Sequence, residues 1–220
     1  IVLSPRGFGP PRNTVAYGNT GVFAKPKTHR TVVPSLQQWT STAMLELKIG
    51  IQLASLRLPL KVAISRAAEL GAEAVEIDAR GEVKPRDLSQ TRVRHLRKIL
   101  YDYNLPVCAV GFYTHRGYDV QEDLDRRVQA TREALDFAYK LGAPAVVNHV
   151  GKVPSSRKGP EWELLVDTLG DLGRYGAHVG STLAARTGAE SGEDLAGLIA
   201  ALPPGSIGVE QPQALHPRTA

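Results

Sequence analysis

Two carboxylates offer the first chemistry. Glu76 and Asp78 stand two residues apart in AEAVEIDA, and residues at that spacing share one face of a strand. Side by side, such a pair holds a single proton near neutral pH and suits general acid–base work. Ion pairing with Arg80 or Arg57 is the competing structural reading. Asn148 and His149 close AVVNH, where the amide suits ligand hydroxyls and the imidazole suits a hydroxyl or a metal. A hydrogen-bonded structural histidine is the ordinary alternative for His149. His115 and Arg116, in FYTHRGYD, suit a phosphate or carboxylate, which a guanidinium holds through two parallel hydrogen bonds. The plain alternative there is a solvated loop. Gln52, Lys152 and Arg186 add further donors, and Glu190 precedes Ser191, a residue suited to capping a helix. Cys108, between Val107 and Ala109, reads as an inert core thiol.

The elements needed to position these groups alternate. KIGIQLAS (48–55) reads as a strand, and Pro59 opens a helix that stops at Gly71. Further strands are expected at 72–79, 107–113, 145–150, 181–187 and 206–210. Helices are expected at 87–103, 124–141, 161 to about 175, and 193–202. In the third helix Leu124, Val128, Thr131, Leu135, Ala138 and Leu141 step by four and three, which is one buried stripe. AAELGAEAV (67–75) and AYKLGAPAV (138–146) share A-x-x-L-G-A-x-A-V across two strand–helix units. In each, the glycine ends a helix and small residues let it pack on the next strand. Such alternation implies a parallel sheet, either a barrel or an open doubly wound sheet. ASLRLPLK after the first strand contains no glycine, which disfavours a nucleotide-binding turn. The polar residues recur at strand C-terminal ends, which favours a barrel rim more moderately, because open sheets also bind there.

Composition narrows the function classes. Hydrophobic residues are 42% and charged residues 22% of 220, ordinary values for a globular chain. No apolar run is long enough for a membrane helix. A single cysteine excludes an intramolecular disulfide framework, and a reducing, cytoplasmic setting is expected. The net charge of +5 lies wholly in residues 1–43, which carry five Lys or Arg and no acid. The remainder is neutral, so no nucleic-acid surface is implied. RVRHLRK (92–98) reads as the solvent face of a helix. Residues 1–43, with five prolines and four glycines, read as a disordered leader. Translated upstream sequence with a natural start at Met44 is the preferred account, ahead of a transit peptide or a nucleic-acid-binding arm.

From Met44 to about Val209 the chain resembles the xylose isomerase-like TIM barrels, the sugar phosphate isomerase/epimerase family. The resemblance rests on KIGIQLASLRLPL, AAELGAEAVEIDARGE, LGAPAVVNHVG and LAARTGAESGEDLAGLIAALPPGSIGV. It implies an α/β, (β/α)8 TIM-barrel fold and proton transfer on a sugar or sugar phosphate. A divalent metal (Mn, Mg, Co or Zn) is expected in complete members, held by Glu, Asp, His and Glu from strands five to eight. Arg186 stands where the strand-five Glu is expected, and Pro212 falls near the place of the Asp. No seventh or eighth strand follows. The expectation is therefore an incomplete barrel of about six units over 44–210, with an atypical tail at 211–220, both ends consistent with a mis-set reading frame. Glu190 is a candidate substitute for the missing Glu, and with Glu76 and Asp78 it forms the candidate acid–base set. Gln52, His115, Asn148, His149, Lys152 and Arg186 form the candidate substrate-binding set. No metal or other cofactor is expected in this chain, and neither nucleic acid nor membrane is an expected partner. Exposed strand edges call for a covering partner, a second copy among the candidates. Isomerase activity is expected to be weak or absent. The alternative is a binding barrel in which Arg186 holds an anion, and a distant third is an abasic-site endonuclease relative, for which six histidines are few.

Overall fold

The structure, a computed structural model, describes residues 49–81, 83–186 and 191–210, the last without its side chain. The leader expected at 1–43, the candidate Glu190 and the tail at 211–220 lie outside these residues.

Six strands and five helices alternate along the described chain. They are β1 (Gly50–Gln52), α1 (Leu60–Glu69), β2 (Ala74–Asp78), α2 (Gln90–Asp102), β3 (Val107–Gly111), α3 (Leu124–Leu141), β4 (Ala145–His149), α4 (Pro160–Val179), β5 (Thr182–Arg186), α5 (Gly192–Ala201) and β6 (Ile207–Glu210). The strands pair in sequence order, every pair parallel, as a TIM-barrel-like α/β fold of six strands. Among the described residues β1 and β6 each pair along one edge only.

Alternation along each strand separates two faces. Val75, Ile77, Val110, Val146, Leu183, Ala185 and Ile207 join the helices in the main core. Leu165, Leu169 and Leu172 of α4 are fully buried there, and burying each contributes about 2 kcal/mol. The opposite, inner face carries a small cluster of Ala109, Val147 and Ala184, flanked by Tyr113 and Ala145.

The repeated sequence gives a repeated cap. Gly71 and Gly142 adopt φ of 75° and 77°. Behind them the Ala72 and Ala143 amides donate to the Ala67 and Ala138 carbonyls at 3.0 and 2.9 Å. The left-handed glycine and the backward bond close the last helical turn in both copies.

Three elements depart from expectation. The first strand is shorter than 48–55, because Leu53–Leu56 turns into a 3-10 helix that ends at Arg57 with φ 54°. Ser55 Oγ donates to the Gln52 carbonyl at 2.7 Å, which fastens that turn. The second helix begins at Gln90 rather than 87, where Ser89 Oγ accepts from the Arg92 amide. The fourth continues past Tyr175 to Val179 despite Gly170, Gly173 and Gly176. A Cβ on Gly176 would lie 2.5 Å from the Ser181 carbonyl oxygen, so close approach to the following segment outweighs helix propensity there. On α2, Val93 and Leu96 are buried while Arg92, Arg94, His95, Arg97 and Lys98 are exposed, the solvent face read from the sequence.

Candidate active site at the strand ends

Glu76 is the only carboxylate buried along the described strands that faces inward, at 3% exposure. Its Oε1 accepts from Gln52 Nε2 at 2.8 Å and from the Tyr113 hydroxyl at 2.9 Å. Gln52 Nε2 also reaches the Tyr113 oxygen at 3.3 Å. These three side chains come from β1, β2 and the segment after β3, so the parallel register aligns them: Gln52 stands opposite Glu76 across the first strand pair. Glu76 Oε2 takes no hydrogen bond among the described residues.

Tyr113 joins this triangle to the later strands. Its ring meets the His149 ring at 5.5 Å between centroids, and the Arg186 guanidinium lies 5.0 Å from its ring centre. Across the β4–β5 pair His149 and Arg186 are register partners. Beyond them a cavity of about 730 Å³ opens at the ends of the strands. His115, His149, Lys152 and Arg186 line it, together with Ser191 and Asp194. Four of the six substrate-binding candidates thus line one cavity, and a fifth, Gln52, bonds Tyr113, whose ring meets two of them.

Asn148 stands elsewhere. It is fully buried, between the inward Val147 and the exposed His149, and it faces α3. Its Oδ1 accepts from the Thr114 amide at 2.9 Å and from Thr114 Oγ1 at 3.1 Å, while Nδ2 donates to the Tyr118 hydroxyl at 2.7 Å. Tyr118 continues to Thr131 Oγ1 at 2.7 Å, which donates to the Arg127 carbonyl at 2.9 Å. Burial pushes the Tyr118 phenol up to about 12, so it stays a neutral hydrogen-bonding group. In this place Asn148 positions the segment carrying His115 and offers its amide to the protein. The same segment is pinned by the Tyr118 amide on the Val150 carbonyl at 2.8 Å. Gly117 and Gly151 also approach so closely that a Cβ on Gly117 would strike the Gly151 backbone.

Asp78 shares the inward parity of Glu76, yet no hydrogen bond joins the two acids. Its Oδ1 accepts from the Arg80 amide at 2.9 Å, a turn closing the end of β2. The expected shared proton has no bond to carry it in this geometry. The competing reading, a side-chain ion pair with Arg80, is not formed either, since Arg80 Nη1 donates to the Tyr113 carbonyl at 2.5 Å.

Tyr113 belongs to the site although it is not among the candidates read from the sequence. Thr114 and Tyr118 were not singled out at all. The aromatic at the end of VCAVGFY was the available signal. Cys108 occupies the register shift between β2 and β3, with Sγ on the Val75 carbonyl at 3.3 Å. Burial first, and the Glu76 charge second, push its thiol up to about 11. At pH 8 the thiolate fraction is then about 100-fold below that of an unperturbed thiol. Iodoacetamide should therefore label native Cys108 at least about 100-fold more slowly than the unfolded chain; equal rates would contradict the geometry.

A parallel strand–helix succession with polar side chains gathered at the strand C-terminal ends defines a TIM-barrel-type α/β protein. The chain belongs to the xylose isomerase-like TIM barrel family, whose model matches residues 64–210. Its fold is similar to that of a xylose isomerase domain protein from Planctomyces limnophilus, with a TM-score of 0.62 and 24% identity over 71% of this chain and 60% of that one. It is also similar to a xylose isomerase-like TIM barrel protein from Mycobacterium smegmatis in complex with magnesium (TM-score 0.59, 14% identity, 74% and 63% covered). D-psicose 3-epimerase with D-tagatose from Clostridium cellulolyticum H10 gives 0.61, 15% identity, and 74% and 62% covered. The chain thus spans less than two thirds of these structures. No curated protein matches it in sequence.

A resident divalent metal needs several oxygen or imidazole donors converging. Among the described residues no group of three or more His, Cys, Asp or Glu is so arranged. The end of β5 instead presents Arg186, which has no lone pair to offer. The described residues by themselves do not fit the metal.

Proposed function

We propose that this chain is a sugar-derivative-binding member of its family that takes a small polyhydroxylated anion, a sugar phosphate or sugar acid, at the strand-end cavity. The observation that carries this reading is the convergence of Arg186, Lys152, His149 and His115 on one cavity of about 730 Å³. Arg186 and Lys152 hold fixed positive charge, while the lining acid Asp194 is bonded to Ser191 Oγ at 2.8 Å. A phosphate or carboxylate accepts charge-assisted hydrogen bonds from the two cations. Ligand hydroxyls donate to the imidazoles of His115 and His149, which line the cavity.

Proton transfer between adjacent carbons of the ligand is the second reading, and Glu76 is the base that favours it. Isomerisation also needs a group to polarise the carbonyl and one to return the proton. Glu76 has Gln52 and Tyr113 beside it and no second carboxylate bonded to it, so turnover is expected to be weak or absent. Incubation of the full chain with fructose 6-phosphate should raise its unfolding temperature in the presence of a chelator, while fructose should not. Protection that requires added metal, or that is equal for the neutral sugar, would overturn the binding reading. Metal-dependent aldose–ketose turnover would overturn the expectation of weak catalysis.

A further inference from the structure

A second cavity, of about 620 Å³, lies between the segment after β2, the segment after β3 and the first turns of α3. It meets the strand-end cavity only at Thr114 and His115. Its wall carries six Lys or Arg against three Asp or Glu.

The pairing within that wall leaves the excess charge unneutralised. Arg86 is held by Glu133 through two bonds, at 3.0 and 3.2 Å, which lower the Glu133 carboxyl and raise the guanidinium. Arg116 pairs with Glu122. Arg80 and Arg127 are bonded to backbone carbonyls, which orient a guanidinium without cancelling its charge. Arg127 Nε is moreover buried with no hydrogen-bond partner. Lys84 and Arg126 are exposed and make no side-chain bond or ion pair among the described residues. Among the described lining residues Asp123 is the acid left to oppose them.

We infer that this cleft is a second anion site, distinct from the strand-end cavity, that takes the phosphoryl group of a small phosphomonoester. A phosphate brings up to two negative charges and three acceptor oxygens, which suits Lys84, Arg126 and the oriented Arg127. The cleft is larger than a phosphate alone, within the range of small-molecule sites. Phe112, Pro85, Ala79 and Ala130 form an apolar floor for the organic part. The ligand is thus an organic phosphate rather than a bare ion.

Calorimetric titration of the full chain with glycerol 3-phosphate tests this, with glycerol as the uncharged control. The wild type should bind two equivalents and the double variant K84E/R126E one, with at least about a 10-fold loss at the removed site. R186E should also bind one equivalent, that of the cleft. Lys84 and Arg126 are exposed, and an unchanged unfolding temperature confirms that the double variant is folded. One equivalent in the wild type, lost in K84E/R126E, would support the cleft and overturn the strand-end reading. Binding unaltered in K84E/R126E, or absent from the wild type, would overturn the inference.

Discussion

Replacing Asn148 by leucine should lower the stability of the fold by about 3 kcal/mol. The expectation follows from what the amide holds. Asn148 is completely buried and joins the Thr114 amide, the Thr114 hydroxyl and the Tyr118 hydroxyl. Leucine keeps the branched outline, in a somewhat larger volume, but leaves the Thr114 amide without its acceptor and Tyr118 without its donor. A buried group left unsatisfied costs about 1–3 kcal/mol. Tyr118 retains Thr131, so its loss lies at the lower end of that range. Urea denaturation of both proteins measures the difference at the shared pH and temperature. A change below about 0.5 kcal/mol would show that the network is dispensable. Because Thr114 precedes His115, the variant should also weaken ligand binding at the strand-end cavity.

Arg186→Glu should weaken binding of a sugar phosphate by at least about 30-fold, the consequence of losing one charge-assisted bond of about 2 kcal/mol and adding repulsion. The Arg186 guanidinium lies over the Tyr113 ring and at the edge of the cavity. Its stacking adds about 1 kcal/mol to the fold, so the variant should unfold only a little earlier than the wild type. Lysine keeps the charge but loses the planar fork, and should recover part of the affinity. Equal affinities for wild type and Arg186→Glu would remove Arg186 from the site. Equal losses in Arg186→Lys and Arg186→Glu would show a steric effect rather than charge.

The fold was legible where sequence pattern and backbone chemistry agree. The repeat around Gly71 and Gly142 announced two equivalent helix ends, and both form the same left-handed cap. Alternation in Val75-Glu76-Ile77 placed Glu76 opposite two core residues, and it is indeed turned from them. The facing of β4 was not legible in the same way. Ala145, Val146 and Val147 are apolar on both parities, because a parallel sheet is covered on both sides. Nothing in AVVNH therefore said whether Asn148 or His149 would look inward. Tyr113 was obscured by a different effect. The register shift near Cys108 alters the pairing of β3, since Val75 stands opposite Val107 but Glu76 opposite Ala109. A sequence carries no mark of that extra residue, so the meeting of Tyr113 with Glu76 appears only in three dimensions. In α4, close contact of Gly176 with the Ser181 backbone carried the helix beyond the length that its composition suggested.

On the proposed function, cationic side chains at the strand ends hold an anionic sugar derivative without a metal. Calorimetric titration of the full chain with fructose 6-phosphate in a chelator, repeated with fructose, tests it most directly. Saturable binding of the phosphorylated sugar is expected at a site that Arg186→Glu removes, unchanged when manganese replaces the chelator, with no measurable heat for fructose. Binding that appears only with manganese, or that treats the two sugars alike, would contradict it.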